Sequence, residues 1–258
     1  MKRTVLSLTG FLVVFLLSSS LWAAMPNAMQ LLSSIDELTD LKGDVSAKVA
    51  LTQQKVNQGT KYIEMQYFRR DRDDAFLILM KAPESDKGNG YLKAGDNFWM
   101  YRKNTRTFQH INRDESIGGT EANADDFEKR KLVEFYDILQ DASGQPILEE
   151  TMVGKIPVYR LELKAKKKDS KYQKRILWVR KDLALIVKEQ GFSLSGRLIN
   201  TSYYLKYTPL NGKYILTQAI FNDEFEKGNK TLLMISELSL APIPASYLTK
   251  AYLENASK

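Results

Sequence analysis

The chain has 258 residues, of which 43% are hydrophobic and 27% charged, and its formal net charge is +7. This balance is typical of a folded domain and excludes a largely disordered or fibrous chain, while the small positive excess is too weak to predict a nucleic-acid partner. The absence of cysteine and the presence of a single histidine, His110, exclude disulfide scaffolds and thiol nucleophiles and disfavour multi-histidine metal centres.

The first predicted element is an export signal at residues 1–24. Two basic residues follow the initiating methionine, an apolar run extends from Val5 to Leu17, and small residues end the segment at Ala23 and Ala24. This pattern indicates a secretory signal peptide that is cleaved after one of these alanines. The alternative is an uncleaved anchor, because the segment approaches the roughly 20 residues that span a bilayer. We therefore expect a periplasmic protein that is soluble after cleavage, with residues 25–258 forming one domain.

Three helices are predicted in the remainder of the chain. Pro26 suits the first turn of a helix, and apolar residues recur at three- to four-residue spacing until Gly43. The same spacing predicts a second helix at about residues 124–139 and a third near residues 246–253. Helical pattern is therefore confined to the two ends and the middle of the domain.

From Val45 onward the period of the apolar residues changes to two, which predicts half-buried strands. Turn residues such as Asn211 and Gly212 separate many of these runs, so most neighbouring strands should pair antiparallel. We expect ten to eleven strands in a mainly β (α+β) fold whose sheet curls around the helices to bury its apolar face. The predicted strand segments include Val45–Leu51, Ile63–Tyr67, Phe76–Met80, Phe98–Tyr101, Tyr159–Leu163, Ile176–Val179, Leu185–Lys188, Thr201–Tyr207, Tyr214–Phe221 and Thr231–Leu238.

The sequence offers little support for catalysis. His110 has no companion at metal-ligand or triad spacing, so a structural histidine is the simpler interpretation. Asp125 and Asp126 precede a predicted helix, where acidic side chains act as caps. Asp223 and Glu224 are adjacent on a predicted strand and would point to opposite faces. We therefore predict no catalytic residue, no metal site and no cofactor, and a protein that is not an enzyme.

A basic segment joins two predicted strands. Residues 164–175 contain six lysines and one arginine, and Asp169 is the single acidic residue among them. Such a segment could contact anionic lipid headgroups or an acidic partner. The alternative is a solvated turn that keeps the edge of the sheet soluble. The candidates for headgroup or partner contact are Lys166, Lys167, Lys168 and Lys171.

One stretch of the sequence carries a family resemblance. Residues 87–101 read KGNGYLKAGDNFWMY, and further matches follow in order at Gly154–Tyr159, Leu177–Asp182 and Ile243–Thr249. These motifs resemble the signature of the LolA-like, outer-membrane lipoprotein-sorting family of exported bacterial proteins, and the resemblance covers nearly the whole chain after the leader. It implies an unclosed antiparallel β-barrel in which helices form a lid over the concave face, above an apolar cavity that accepts acyl chains. One departure is the inserted-looking segment at residues 120–124.

The resemblance and the residues together predict a non-enzymatic periplasmic carrier that shields the acyl chains of a lipoprotein or lipid during outer-membrane sorting or transport. The alternatives are a lipid-occupancy sensor or scaffold for an exporter or signalling protein and, with less support, a hydrolase. The expected partners are an acylated lipoprotein or lipid and, because this branch of the family often occurs with such exporters, an RND/MMPL-type exporter or an outer-membrane acceptor. The large apolar side chains could equally fill a packed core, because periodicity does not distinguish the two. The candidate cavity residues are Val49, Leu51, Met65, Met80, Trp99, Tyr101, Trp178, Tyr203 and Phe221.

Overall fold

The computed structural model describes residues 25–112, 115–120, 122, 127, 131–168 and 170–258. The predicted signal peptide, the acidic pair Asp125 and Asp126, and the first part of the predicted middle helix lie outside these residues. Within the described ranges, no helix combines the length and the apolar character that a bilayer span requires.

The predicted N-terminal helix is confirmed as α1 (Ala28–Thr39). Its N-cap is Asn27, whose side-chain oxygen accepts hydrogen bonds from the backbone N–H groups of Met29 (2.9 Å) and Gln30 (3.1 Å). This side chain satisfies two of the donors that a helix start leaves without partners. The apolar stripe of α1, with Leu32 at its centre, is buried against the sheet.

The part of the chain that the structure describes contains fourteen strands, more than the ten to eleven that the sequence predicts. Three of the additional strands, β4, β6 and β8, lack a clear alternation of buried and exposed residues, which is the signal on which the prediction depends. The strands are β1 (Asp44–Lys55), β2 (Gly59–Arg70), β3 (Ala75–Ala82), β4 (Gly90–Ala94), β5 (Asn97–Arg102), β6 (Thr107–His110), β7 (Tyr136–Ile138), β8 (Leu148–Val153), β9 (Ile156–Ala165), β10 (Lys174–Arg180), β11 (Ile186–Phe192), β12 (Leu198–Leu210), β13 (Lys213–Asp223) and β14 (Lys230–Ser239).

The strands form one antiparallel, unclosed sheet. Their order is β6-β5-β4-β3-β2-β1-β14-β13-β12-β11-β10-β9-β7, with β8 also paired to β9. Strands β2 and β10 are six strand spacings apart, which would be about 29 Å in a flat sheet. Side chains of both strands nevertheless line one cavity. The sheet is therefore strongly curled, as the sequence predicts.

The predicted middle helix is wrong over its final residues. The described helical part, α2 (Leu132–Phe135), is a single turn, and the chain continues directly into strand β7. The reason is the edge of β9, which offers backbone hydrogen bonds to β7 and places Tyr136 opposite Ala165. The backbone N–H of Lys166 also donates to the carbonyl of Phe135 at 2.9 Å. Backbone hydrogen bonding at the edge of the sheet thus overrides a helical sequence pattern.

The C-terminal segment covers the outer, convex face of strands β3 to β5. A short 3-10 helix (Ala245–Leu248) leads into α3 (Lys250–Ala256), which matches the predicted third helix. Its buried residue Leu253 packs in a cluster with Leu77, Leu79, Leu92 and Tyr101. The tail therefore protects an apolar patch that the curled sheet would otherwise expose.

An ion pair ties this tail to the start of the sheet. Arg70 donates from Nε to Asp44 at 3.1 Å and from Nη2 to the carbonyl of Ile243, and the same carboxylate accepts the backbone N–H of Ile243 at 2.6 Å. The hydrogen bond from Arg70 and the one from Ile243 lower the pKa of Asp44. The side chain of Arg70 is only 3% exposed, so its charge depends on this pairing.

Candidate functional site

A partly open cavity of about 280 Å³ lies between two apolar clusters on the inner, concave face of the sheet. The first cluster is formed by strands β1 to β5 with β13 and β14. The second is formed by α1 with β7, β9, β10 and β11. Both clusters contribute residues to the cavity wall. The cavity is therefore the space that the curled sheet and α1 leave unfilled.

Much of the cavity wall is apolar. Side chains of the sheet and of the helices converge on it from opposite sides, and several of them, including Val45, Phe221 and Leu233, are almost fully buried. Such a wall suits a hydrocarbon ligand, which needs no polar partners. The apolar residues of the wall are Ile35, Leu41, Val45, Phe127, Leu132, Ile186, Ile215, Leu216, Phe221, Leu233 and Ile235.

The two helices α1 and α2, which we call the lid, are joined by one carboxylate. Asp36 on α1 accepts hydrogen bonds from the backbone N–H groups of Leu132 (2.7 Å) and Val133 (3.0 Å) at the start of α2. Burial raises the pKa of Asp36, and the two backbone hydrogen bonds offset this only in part. Asp36 therefore gives the lid a polar link in addition to the apolar cluster that Ile35 and Leu132 share.

One side of the wall is polar and aromatic. Arg175 on β10 forms an ion pair with Glu189 on β11, in which Nε donates to Oε1 at 2.6 Å. The phenol of Tyr204 donates to the other carboxylate oxygen at 3.1 Å. The guanidinium carbon lies 5.2 Å from the ring centroid of Tyr136 and 5.7 Å from that of Tyr172, which is cation–π distance. Burial acts to lower the pKa of Arg175, but Glu189 outweighs it and holds the pKa well above its ordinary value.

A second guanidinium lines the cavity from β2. Arg69 Nε lies 2.8 Å from a carboxylate oxygen of Asp71. Burial acts to lower the pKa of Arg69, but the nearby Tyr67 and Asp71 outweigh it and raise the pKa. The phenol of Tyr67 donates to the backbone carbonyl of Phe127, which ties the middle segment of the chain to the inner face of the sheet. The cavity is thus amphipathic, with two fixed cations in a largely apolar wall.

The structure brings one of the nine predicted cavity residues, Phe221, to the cavity wall. Four others belong to the adjoining packed cluster but not to the wall, and each is at most 2% exposed: Val49, Leu51, Met65 and Met80. These four therefore fill a core, which is the alternative that the sequence leaves open.

The remaining four candidates lie on the other face of the sheet, which corrects their assignment. Trp99 and Tyr101 pack on the convex side, where Lys250 of α3 lies 4.1 Å from the Trp99 ring centroid. Trp178 and Tyr203 face outward and flank Lys188, whose Nζ is 4.3 Å from the Trp178 ring centroid. The reason is the strand period: their chain neighbours, such as Phe98 and Leu177, occupy the inner face, so these four point away from it.

The predicted contact lysines fall into two groups. Lys166 donates from Nζ to the carbonyl of Val133 at 2.8 Å, so this side chain holds α2 in place. Lys167 and Lys168 are exposed, and the ammonium of Lys171 lies 5.1 Å from the ring centroid of Tyr172, a residue of the cavity wall. The basic segment therefore lies beside the lid and next to the cavity.

Sequence reasoning missed the polar residues of the wall, although a signal was present. Arg175 alternates with Leu177 and Val179 along β10, and both of these apolar residues are fully buried on the inner face. A charged residue in phase with buried ones predicts a charge directed into the interior. Because Arg175 follows six lysines closely, composition alone places it in the basic segment instead. In the same way Arg69 is in phase with Tyr67 on β2.

His110 and Asp223, which the sequence offers as candidates for catalysis, lie outside the cavity wall. His110 is exposed on β6 beside Trp99, with ring centroids 6.1 Å apart. Asp223 caps a turn by accepting the backbone N–H groups of Phe225 (2.7 Å) and Glu226 (3.0 Å). Among the described residues, no group of three or more histidine, aspartate or glutamate side chains is arranged to hold a metal ion.

Comparison with known proteins agrees with the architecture. A family model described only as an uncharacterized protein matches residues 72–255. A LolA superfamily protein from Nitrosomonas europaea superposes with a TM-score of 0.74 at 21% identity, over 88% of this chain and 100% of the other. The chain has the LolA-like fold and belongs to the family of that model, which matches more than half of its length. A DUF1329 family protein from Desulfovibrio piger also superposes on this LolA-like protein, with a TM-score of 0.77 at 20% identity, over 88% of this chain and 97% of the other.

A third structure, a domain from Vibrio parahaemolyticus named for outer membrane lipoprotein sorting, superposes on this LolA-like protein with a TM-score of 0.75 at 16% identity. The match covers 88% of this chain and 98% of the other. No curated protein matches the sequence. At these identities the likeness establishes the unclosed sheet of the LolA-like fold, and the cargo must be argued from the cavity itself.

Proposed function

We propose that this LolA-like protein is a non-enzymatic periplasmic carrier that shields acyl chains of a lipid or lipoprotein on their way to the outer membrane. The observation that carries the proposal is the cavity between α1 and the inner face of the sheet, with its largely apolar wall. Each methylene group removed from water contributes about 0.8 kcal/mol of favourable burial, so binding should strengthen with the number of acyl carbons that the cavity takes up.

The lid bears on how cargo enters. A diacyl or triacyl anchor needs more space than a single acyl chain. The contacts of Asp36 with Leu132 and Val133 join the two parts of the lid, and opening them would widen the cavity. Release then needs an acceptor that binds the acyl chains better than the closed protein does.

The cellular setting is part of the proposal. Residues 1–24 would direct the chain to the periplasm and be removed there, leaving residues 25–258 as one domain. An outer-membrane acceptor or an RND/MMPL-type exporter would be the partner that receives or supplies the cargo.

Analysis of the native protein tests the carrier function. The full chain is expressed in a Gram-negative host, recovered by osmotic shock, and extracted with organic solvent for mass spectrometry. We expect a mature N-terminus after Ala23 or Ala24, co-purifying acyl lipid, and transfer of that lipid to acceptor vesicles. Retention of lipid without transfer would favour a sensor, chemical turnover of the lipid would favour a hydrolase, and an uncleaved Met1 in the membrane fraction would contradict export as a free carrier.

The basic segment gives a further prediction. Replacing Lys167, Lys168 and Lys171 with glutamine should weaken binding to phosphatidylglycerol vesicles at least tenfold at low salt, because each lysine near an anionic surface contributes on the order of 1 kcal/mol. Vesicle co-sedimentation at several salt concentrations measures this effect, and thermal unfolding should change little.

The matched control removes three exposed lysines elsewhere, Lys206, Lys227 and Lys230, and so changes the net charge equally. Equal loss of binding in both triple variants would mean that net charge alone acts, and the basic segment would then be a solvated turn. Lys166 is left unchanged in both variants because its side chain holds α2.

A further inference from the structure

We propose that Arg175 binds the carbonyl oxygen of an acyl ester or amide inside the cavity, so that the protein prefers a carbonyl-linked chain to an alkyl chain of equal length. This inference rests on the proposed carrier function and names the chemical group by which the cavity recognises its ligand. It assigns to the polar side of the wall a role that burial of hydrocarbon alone does not explain.

The guanidinium of Arg175 is held in a fixed position in the cavity wall. Arg175 lines the cavity, its side chain is 18% exposed, and the pair formed with Glu189 holds it in the wall. The rings of Tyr136 and Tyr172 lie against its planar group at 5.2 Å and 5.7 Å. A donor held in this way loses little conformational entropy when it binds a ligand.

Arg175 has more N–H donors than its partner Glu189 uses. A guanidinium carries five N–H groups. Nε and Nη2 both donate to one oxygen of Glu189, whereas no hydrogen bond within the described part of the chain uses Nη1. No described residue therefore occupies the edge that carries Nη1, and we infer that this edge serves an acceptor that enters the cavity.

The Arg175–Glu189 pair suits an uncharged acceptor. Glu189 already balances the charge of Arg175, and its second oxygen accepts the phenol of Tyr204. A free carboxylate or phosphate would approach a neutral pair and would be repelled by Glu189. A carbonyl oxygen is a neutral acceptor and needs no displacement of Glu189. The chemistry of the site therefore favours an ester or amide over a free acid.

Apolar wall residues and the basic segment both lie close to the Arg175–Glu189 pair. Ile35, Leu132 and Ile186 belong to the same cavity wall and offer apolar surface to the chain that extends from the carbonyl. Tyr172 contacts both Arg175 and Lys171, and so connects the pair to the basic segment. A headgroup attached to the bound carbonyl would thus have the basic segment within reach.

Two probes that differ only in the carbonyl test the inference: 1-decanoylglycerol and 1-O-decylglycerol. Titration calorimetry on the delipidated, exported protein should show about tenfold tighter binding of the ester, since a hydrogen bond from a charged donor has about this effect. Sodium decanoate, which carries a free carboxylate, should bind more weakly than the ester. Equal affinity for ester and ether, or tightest binding of decanoate, would overturn the proposal.

Two variants assign the effect to the ion pair. Replacing Arg175 and Glu189 together with methionine leaves no unpaired buried charge, so the fold should persist, and the preference for the ester should disappear. Glu189→Gln keeps the arginine but removes its counter-charge, and decanoate should then bind severalfold tighter. A preference for the ester that survives in the double variant would contradict the inference.

The outcomes also separate this inference from the carrier function. If the unmodified protein binds the ester and the ether equally well, the carrier function stands and the role of Arg175 fails. If it binds neither of them, the carrier function itself fails.

Discussion

Replacing Gly90 with alanine should lower the free energy of unfolding by about 3 kcal/mol. Gly90 begins β4 on the convex face, directly beneath α3. A Cβ atom there would lie 2.5 Å from the backbone oxygen of Ile78 and 2.6 Å from Leu253 Cδ1. The first of these is backbone of the neighbouring strand and yields only if the β3–β4 pair distorts, and the second would push α3 off the sheet. Urea denaturation monitored by circular dichroism measures the loss.

The matched control is Gly43→Ala, at the start of the sheet. There the nearest atom to a new Cβ is the Leu41 carbonyl oxygen at 3.7 Å, which is an ordinary contact. Because alanine restricts the unfolded chain, this variant should be equal to or slightly more stable than the unmodified protein, by up to about 1 kcal/mol. If both variants unfold at the same urea concentration, close packing of α3 on Gly90 is not a source of stability.

Gly90 and the nearby Gly88 also explain part of a sequence motif, the KGNG stretch at residues 87–90. Gly88 has a φ of +87°, and a Cβ there would lie 2.8 Å from the carbonyl oxygen of Ser257. Gly88 and Gly90 thus both allow the C-terminal segment to approach the sheet. The sequence shows the KGNG stretch as part of a family motif, but its partner lies more than 150 residues away, and local sequence pattern carries no information on that contact.

The strand period predicts the sheet well but not the direction in which it curls. Along β5, alternation separates Phe98 and Met100 from Trp99 and Tyr101, and both pairs are large and apolar. Which pair faces the concave side depends on what covers each face, since Ile117 and Phe127 pack in the cluster of Phe98 and Leu253 of α3 packs in the cluster of Tyr101. The sequence therefore predicts two apolar faces here and gives no means of ranking them.

The candidate site shows the same limit for charged residues. Arg175 has the sequence context of a surface turn because six lysines precede it within eleven residues, and only its phase with Leu177 distinguishes it. The ion pair with Glu189 needs the β10–β11 register, in which Leu177 lies opposite Glu189. That register becomes available only once the sheet is assembled.

Enlarging the side chain at Val45 should weaken ligand binding without loss of the fold. Val45 on β1 is buried and lines the cavity wall, so a larger side chain can occupy space that is otherwise empty. We expect Val45→Phe to change the free energy of unfolding by less than about 1 kcal/mol, because no packed neighbour must move. Its affinity for the neutral apolar probe N-phenyl-1-naphthylamine, measured by fluorescence titration, should fall at least tenfold.

Val49→Phe is the matched control for this experiment. Val49 lies four residues along the same strand and on the same face, and it is fully buried in the packed cluster beside the cavity rather than in its wall. The added ring has no space there and should lower the free energy of unfolding by 1–3 kcal/mol. Because residue type, strand and face are identical, any difference in stability between the two variants reports the empty volume next to Val45. Equal destabilisation of both variants, together with an unmodified protein that binds no probe, would mean that the cavity does not admit a ligand, and the carrier function would fail with it.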